Sequence, residues 1–178
     1  IVFRPAGAAP TTGVILYPGA GCDVRGYAPV LRRLADRGYL VVAVPMPLNM
    51  AIFGINRADD VRAAFPDVQR WVIVGHSMGG AMAARYAHNN PDDLAGLIIW
   101  DSRPAASDTV VDVKYPVWHI HRATADGRPQ RVGGPVELRA AGLLEGLHLR
   151  ERALRLCEPP LQVLGGAGEA HERILAAP

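Results

Sequence analysis

The sequence predicts a three-layer α/β/α sandwich built on a mostly parallel, doubly wound sheet. Three observations carry this. Short, wholly apolar β-branched runs alternate along the chain with helix-patterned segments. Turn residues such as Pro18-Gly19 and Asn89-Asn90-Pro91 punctuate them. One of the runs, Trp71-Val72-Ile73-Val74, leads into Gly75-His76-Ser77-Met78-Gly79 and an Ala-rich segment, a strand, tight turn and helix in succession.

Taken in order, Val14-Ile15-Leu16-Tyr17 reads as a buried strand that stops at Pro18-Gly19-Ala20-Gly21, a turn whose small residues leave the backbone close to whatever binds there. Tyr27, Val30, Leu31 and Leu34 then recur at helical spacing. Arg32, Arg33, Asp36 and Arg37 fall on the other face, and Gly38 is the stop. Tyr39 to Val44 is the next strand. The apolar stretch 45–54 is too broken by Pro45 and Pro47 for a regular element at its start and reads either as core packing or as a pocket wall, the latter because loops at the carboxyl ends of parallel strands line the crevice of such sheets. A helix over 57–65, the strand over 71–75, a helix over 78–88 and a strand over 97–100 ending at Asp101 follow. Residues 102–115 form a polar connection too short for a cap domain, and Pro116 to His121 gives a further strand. Beyond Gly127 the pattern is looser: Leu-rich and helical over 136–157, a last strand over 161–164, a Gly-rich loop and a short terminal helix over 169–177.

The chemistry lies in the G-x-S-x-G pattern. A serine held at a strand-to-helix reversal sits in strained backbone, and glycine at 75 and 79 removes the β-carbons that would collide there. Ser77 Oγ is then presented above the sheet edge. The helix N-terminus adds a positive dipole end and unsatisfied N–H groups, that of Met78 among them, where an oxyanion would form. The competing reading is a serine that merely caps a helix, which needs no glycine pair.

Composition narrows the alternatives. The 178 residues, 49% hydrophobic and 20% charged, suit one globular domain over 1–178 with a sizeable core. The net charge of +2 is spread along the chain and aromatics are 6%, so neither a basic stripe nor stacking platforms for nucleic acid are visible and no nucleic-acid partner is expected. Of the 19 basic residues all but Lys114 are arginine, which with abundant Ala, Gly and Pro looks like coding bias rather than a binding patch. Cys22 and Cys157 lack metal-ligand spacing and make no disulfide framework, so no metal or other cofactor is expected. No run reaches the length of a membrane span. The chain opens on Ile1 rather than Met, which leaves an upstream piece open, and localisation is not legible. Nucleotide binding is the weaker reading of the glycine turns, since Pro18-Gly19-Ala20-Gly21 lacks G-x-G-x-x-G spacing and no lysine follows.

The turn 18–21, the motif Gly75-His76-Ser77-Met78-Gly79-Gly80 and the strand Gly96-Leu97-Ile98-Ile99-Trp100 together resemble the α/β-hydrolase family, in particular its small capless, dienelactone-hydrolase-like members. Tyr17-Pro18-Gly19-Ala20-Gly21 and Pro45-Met46-Pro47-Leu48-Asn49 narrow the likeness to one bacterial branch. It covers about the first 127 residues, and 128–178 diverge as if altered or truncated. The resemblance implies Ser77 as nucleophile, the backbone N–H groups of Ala20 and Met78 as oxyanion hole, and His76 as a packing residue. It points to Asp126 as the acid, although Arg122 stands where a glycine is common, with Asp101 in reserve; either could instead be a turn aspartate. The base it matches best is His171, after the glycines of 165–168. His148 competes, but periodicity places it in a helix. His119 and His121 on their strand are read as structural, and His88 as a helix-end residue. The implied activity is hydrolysis of an ester-like small-molecule substrate through an acyl-enzyme. The rival is a non-catalytic binding protein of the same fold, or an inactive remnant without a functional histidine.

Overall fold

The computed structural model describes residues 1–120; Asp126, His148, His171 and the elements read beyond His121 lie outside the described residues. Six strands form one sheet: β1 (Val2–Phe3), β2 (Thr12–Tyr17), β3 (Leu40–Ala43), β4 (Arg70–His76), β5 (Gly96–Trp100) and β6 (Val117–Ile120). Their spatial order is β1-β3-β2-β4-β5-β6. All neighbours are parallel except β1, which pairs antiparallel with β3 through Val2 opposite Val42 and Phe3 opposite Val41. Helices α1 (Ala28–Ala35), α2 (Arg57–Ala64) and α3 (Met78–Asn89) connect them. Short 3₁₀ turns lie at Val24–Tyr27, Pro47–Asn49 and Ala51–Phe53.

The strands β2, β3 and β5 are buried at nearly every position. That is why their sequences are continuous apolar runs rather than alternating ones: a parallel sheet covered on both faces has no wet side. Two apolar clusters lie one on each face. Phe3, Val14, Leu16, Tyr27, Leu31, Ala35, Val41 and Trp100 pack with α1. Ile15, Tyr17, Val42, Ala58, Val61, Ile73, Ala83, Tyr86, Leu97 and Ile99 pack with α2 and α3. The expected doubly wound arrangement is therefore observed, with element bounds shifted by a residue or two. Two details differ. Tyr27, read as the first residue of a helix, belongs to the 3₁₀ turn before α1. The edge strand β1 has no counterpart in the sequence reading, because two residues carry no periodicity.

A side-chain network clamps α2 to α3. The Tyr86 hydroxyl donates to Asp59 Oδ1 at 2.6 Å, and Arg62 Nη1 donates to Tyr86 Oη at 3.0 Å and to Asp93 Oδ2 at 2.6 Å. At the far end of α3, His88 Nδ1 lies 2.7 Å from the Thr109 carbonyl and so ties the polar connection to the helix.

The connection after β2 runs outward to β3, whereas that after β3 returns across β2 to β4. The order thus reverses between β2 and β4, and the loops at their carboxyl ends flank a crevice. Those loops are Pro18-Gly19-Ala20-Gly21 and the turn at Ser77.

Candidate active site

The backbone of β4 reverses at Ser77, which has φ 51° and ψ −123°, and α3 begins at the next residue. A β-carbon in that region costs about 1–3 kcal/mol, so the surrounding structure must hold it there. Three contacts do. Ser77 N–H donates to the Trp100 carbonyl at 2.9 Å, anchoring the elbow to the end of β5, while the Ser77 carbonyl accepts from Gly80 at 2.9 Å and Ala81 at 3.3 Å, the first bonds of α3. The side chain is exposed and makes no capping bond to its own helix. The capping reading of this serine therefore does not apply.

The glycines of the motif are dictated by distance. A β-carbon on Gly75 would stand 2.2 Å from the Gly79 carbonyl oxygen and 2.5 Å from Gly80 Cα. One on Gly79 would stand 2.2 Å from the Tyr17 carbonyl oxygen and 2.4 Å from that of Pro18. The first turn of α3 thus lies directly on the end of β2 and the turn that follows it. Gly80, quoted in the motif without a role, has the same constraint, with Ser102 Cβ at 2.5 Å and the Gly75 carbonyl at 2.8 Å from its missing β-carbon.

The turn after β2 is held residue by residue. Gly19 N–H donates to Tyr27 Oη at 3.0 Å, Gly21 N–H to the Asn49 carbonyl at 2.8 Å, and Cys22 N–H to the Gly19 carbonyl at 3.2 Å. Ala20 sits exposed between the two anchored amides. Met78, its counterpart, opens α3, so its N–H is one of the four that a helix leaves without an intrahelical acceptor.

Two tyrosines brace this edge. Tyr17, at the end of β2, donates its hydroxyl proton to the Ile55 carbonyl at 2.6 Å and accepts from Ala58 N–H at 2.8 Å, tying the end of β2 to Ile55 and to the first turn of α2. Burial pushes its phenol well above the ordinary range, against the pull of the Ala58 bond. Tyr27 Oη lies 2.8 Å from His76 Nδ1, with the rings edge-on, and Trp100 meets Tyr27 edge-on and His76 at a tilt. Burial raises the Tyr27 phenol too, and the Gly19 bond opposes it. His76 is 6% exposed, as a packing residue would be, but it is also hydrogen-bonded. Nothing in the sequence signals this pairing beyond two polar tips in apolar runs.

The stretch 45–54 borders the same edge through the Gly21 to Asn49 bond. Leu48 and Asn49 have φ of 53° and 54°, and Leu48, Ile52 and Phe53 are exposed, while Met46 and Ala51 are buried beneath them. Asp101 follows β5 directly, with φ 47°, and its N–H donates to the Ile120 carbonyl at 2.6 Å. The structure therefore brings Ser77, Ala20, Met78 and Asp101 to one edge of the sheet. An apolar groove lined by Val14, Leu34, Val72, Ile98, Trp100 and Trp118 runs instead along the α1 face and contains none of these residues. Among the described residues no group of three or more His, Cys, Asp or Glu is placed to hold a metal ion, and no helix is long and apolar enough to cross a membrane.

A serine on a strained strand-to-helix turn, at the switch point of a parallel sheet, defines the nucleophile-elbow class of α/β proteins. Residues 13–129 match the model of the alpha/beta hydrolase family, and the chain belongs to that family. It is similar to a provisionally named non-heme haloperoxidase of Mycobacterium phage D29, with 25% identity over 153 residues, 80% of this chain and 53% of the relative. The chain thus spans about half the length of that relative. Among solved structures it is similar to a provisionally named dienelactone hydrolase from Klebsiella pneumoniae, with a TM-score of 0.54, 21% identity and coverage of 71% of this chain and 67% of the other. Est1E from Butyrivibrio proteoclasticus with ferulic acid bound gives 0.51, 16% identity and coverage of 57% and 47%. At these identities the structural likenesses concern the fold.

Proposed function

We propose that this chain is a serine hydrolase that cleaves a carboxylic ester or related acyl small molecule through an acyl-enzyme. The observation that carries the reading is Ser77: an exposed hydroxyl on strained backbone, uncapped, at the N-terminus of α3. Membership of the alpha/beta hydrolase family supports it.

In this mechanism Ser77 Oγ attacks the carbonyl carbon while a histidine takes the hydroxyl proton. The tetrahedral oxyanion accepts from the N–H groups of Ala20 and Met78. Collapse breaks the bond to the leaving alcohol, which receives the proton from the imidazolium. Water, deprotonated by the same imidazole, then attacks the acyl-enzyme, releasing the acid and restoring Ser77. The base is assigned to His171, ahead of His148, and the acid that orients it to Asp126, ahead of Asp101. Asp101 is the one of these four within the described residues, and its position beside the elbow keeps it in contention.

Turnover of p-nitrophenyl acetate and butyrate by the full chain tests the reading. Replacing Ser77 with Ala is expected to lower kcat by a factor of about 10³ or more. Undiminished turnover dismisses the nucleophile. A wild-type chain inert toward both esters and toward a fluorophosphonate favours the non-catalytic binding protein.

A further inference from the structure

The amides that flank Ala20 are both tied, but in different ways. Gly21 N–H is bonded to a backbone carbonyl at the exposed edge, that of Asn49. Gly19 N–H is bonded to a side chain, the Tyr27 hydroxyl, inside the protein: Tyr27 is 1% exposed and Gly19 is buried. The same oxygen lies 2.8 Å from His76 Nδ1, and His76 immediately precedes Ser77. A β-carbon on Gly19 would stand 3.0 Å from that nitrogen, so turn, phenol and imidazole are in mutual contact. One buried oxygen therefore joins the turn that carries Ala20 to the residue before the nucleophile.

We propose that the Tyr27 hydroxyl is a positioning residue for the oxyanion turn, holding Gly19 against His76 so that Ala20 N–H and Ser77 Oγ keep a fixed separation. The role rests on the serine-hydrolase reading. Replacing the hydroxyl with hydrogen leaves Gly19 N–H and His76 Nδ1 without this shared partner. The turn is then free to shift, and an oxyanion donor displaced by a fraction of an ångström loses much of its value, because the hydrogen bond is required at the position of the developing charge. Substrate binding in the ground state depends less on that donor, so kcat and KM are expected to part.

The test compares Tyr27→Phe with Tyr86→Phe, which removes an equally hydrogen-bonded hydroxyl from the α2–α3 clamp remote from Ala20. On p-nitrophenyl butyrate, Tyr27→Phe is expected to lower kcat by about tenfold with KM within about twofold, whereas Tyr86→Phe lowers the melting temperature and leaves kcat as in the wild type. Amide hydrogen exchange supplies a readout that needs no activity: the Gly19 amide should exchange about tenfold faster in Tyr27→Phe while the β2 amides of Ile15 and Leu16 stay protected. In the wild type itself, Gly19 should exchange at least about tenfold more slowly than exposed Ala20, which keeps the proposal testable if Tyr27→Phe does not fold. Unchanged kcat in Tyr27→Phe overturns the positioning role, as does an equal loss of kcat in Tyr86→Phe. Gly19 exchange that is no slower than that of Ala20, or that is insensitive to Tyr27→Phe, overturns the latch itself. A wild-type chain without turnover or Ser77 labelling refutes the serine-hydrolase reading and the catalytic role together, while exchange alone decides whether the latch exists.

Discussion

The two edges of the sheet solve the same backbone problem differently. Where the connections leading into β2 and β3 need a positive φ, the chain uses glycine: Gly7 at 107° and Gly38 at 95°, both with open space around the missing β-carbon. At the carboxyl ends of β3, β4 and β5 it uses residues with side chains instead: Leu48, Asn49, Ser77 and Asp101, between 47° and 54°. Glycine would relieve the strain at each of these four positions. Non-glycine residues with positive φ thus gather at the one edge that carries the Ser77 turn. Glycine is also used at that edge, at Gly21 after β2 with φ 68° and open space, while 75 and 79 are glycine because a β-carbon there would strike backbone.

The contrast is most sharply tested by adding β-carbons. Gly75→Ala places one 2.2 Å from a backbone oxygen that cannot yield without moving α3, and the loss is expected to reach about 3 kcal/mol or prevent folding. Gly38→Ala, strained in φ but sterically open, should cost only about 1 kcal/mol; urea unfolding of the two variants gives both numbers. If they cost the same, the close approach of α3 to β4 is not what selects glycine.

Bracing of this edge can be weakened without touching Ser77. Tyr17→Phe removes a hydroxyl that serves both the Ile55 carbonyl and the Ala58 N–H, and is expected to lower unfolding free energy by about 1–2 kcal/mol. A loss well below that would mean the join between the end of β2 and the start of α2 is held by packing rather than by these two bonds.

Removing the β-carbon from the strained serine has the opposite sign. Ser77→Gly should stabilise the fold by about 0.5–1 kcal/mol while abolishing ester turnover, the exchange of stability for activity that an evolved elbow implies. Destabilisation would show that the Ser77 side chain makes a structural contribution, and that the strain is not a concession to chemistry.

The smallest effect belongs to the exposed rim of the turn. Arg25 holds the Asp23 carboxyl at about 2 through side-chain and backbone hydrogen bonds. A carboxyl with a depressed pKa contributes above its ordinary range, and the contribution fades as pH falls toward about 2. Both groups are in solvent, so Arg25→Gln, which keeps the backbone bond, should raise the carboxyl part of the way back toward the ordinary carboxylate range in an NMR titration and leave the melting temperature at neutral pH unchanged.

The sheet was legible because buried parallel strands are written as unbroken apolar runs, and the elbow because two glycines and a serine sit between such a run and a helix pattern. Proline rightly broke the 45–54 stretch, but nothing in Leu48-Asn49 announces two successive left-handed residues. Those are imposed by the Met46, Pro47 and Gly21 bonds around them. The β1 edge was invisible for want of length. The tie from Gly19 through Tyr27 to His76 was invisible because it joins residues 49 positions apart, and a tyrosine at helical spacing reads as core. Order along the sheet, and so the crevice between β2 and β4, is likewise a long-range property that periodicity does not encode.

The most direct measurement is intact-mass analysis of the full chain after exposure to a fluorophosphonate, with peptide mapping of the adduct. A single adduct on Ser77, absent from Ser77→Ala, is the predicted result. An unmodified wild-type chain after prolonged exposure, or an adduct on another residue, would contradict the assignment of Ser77 as the nucleophile.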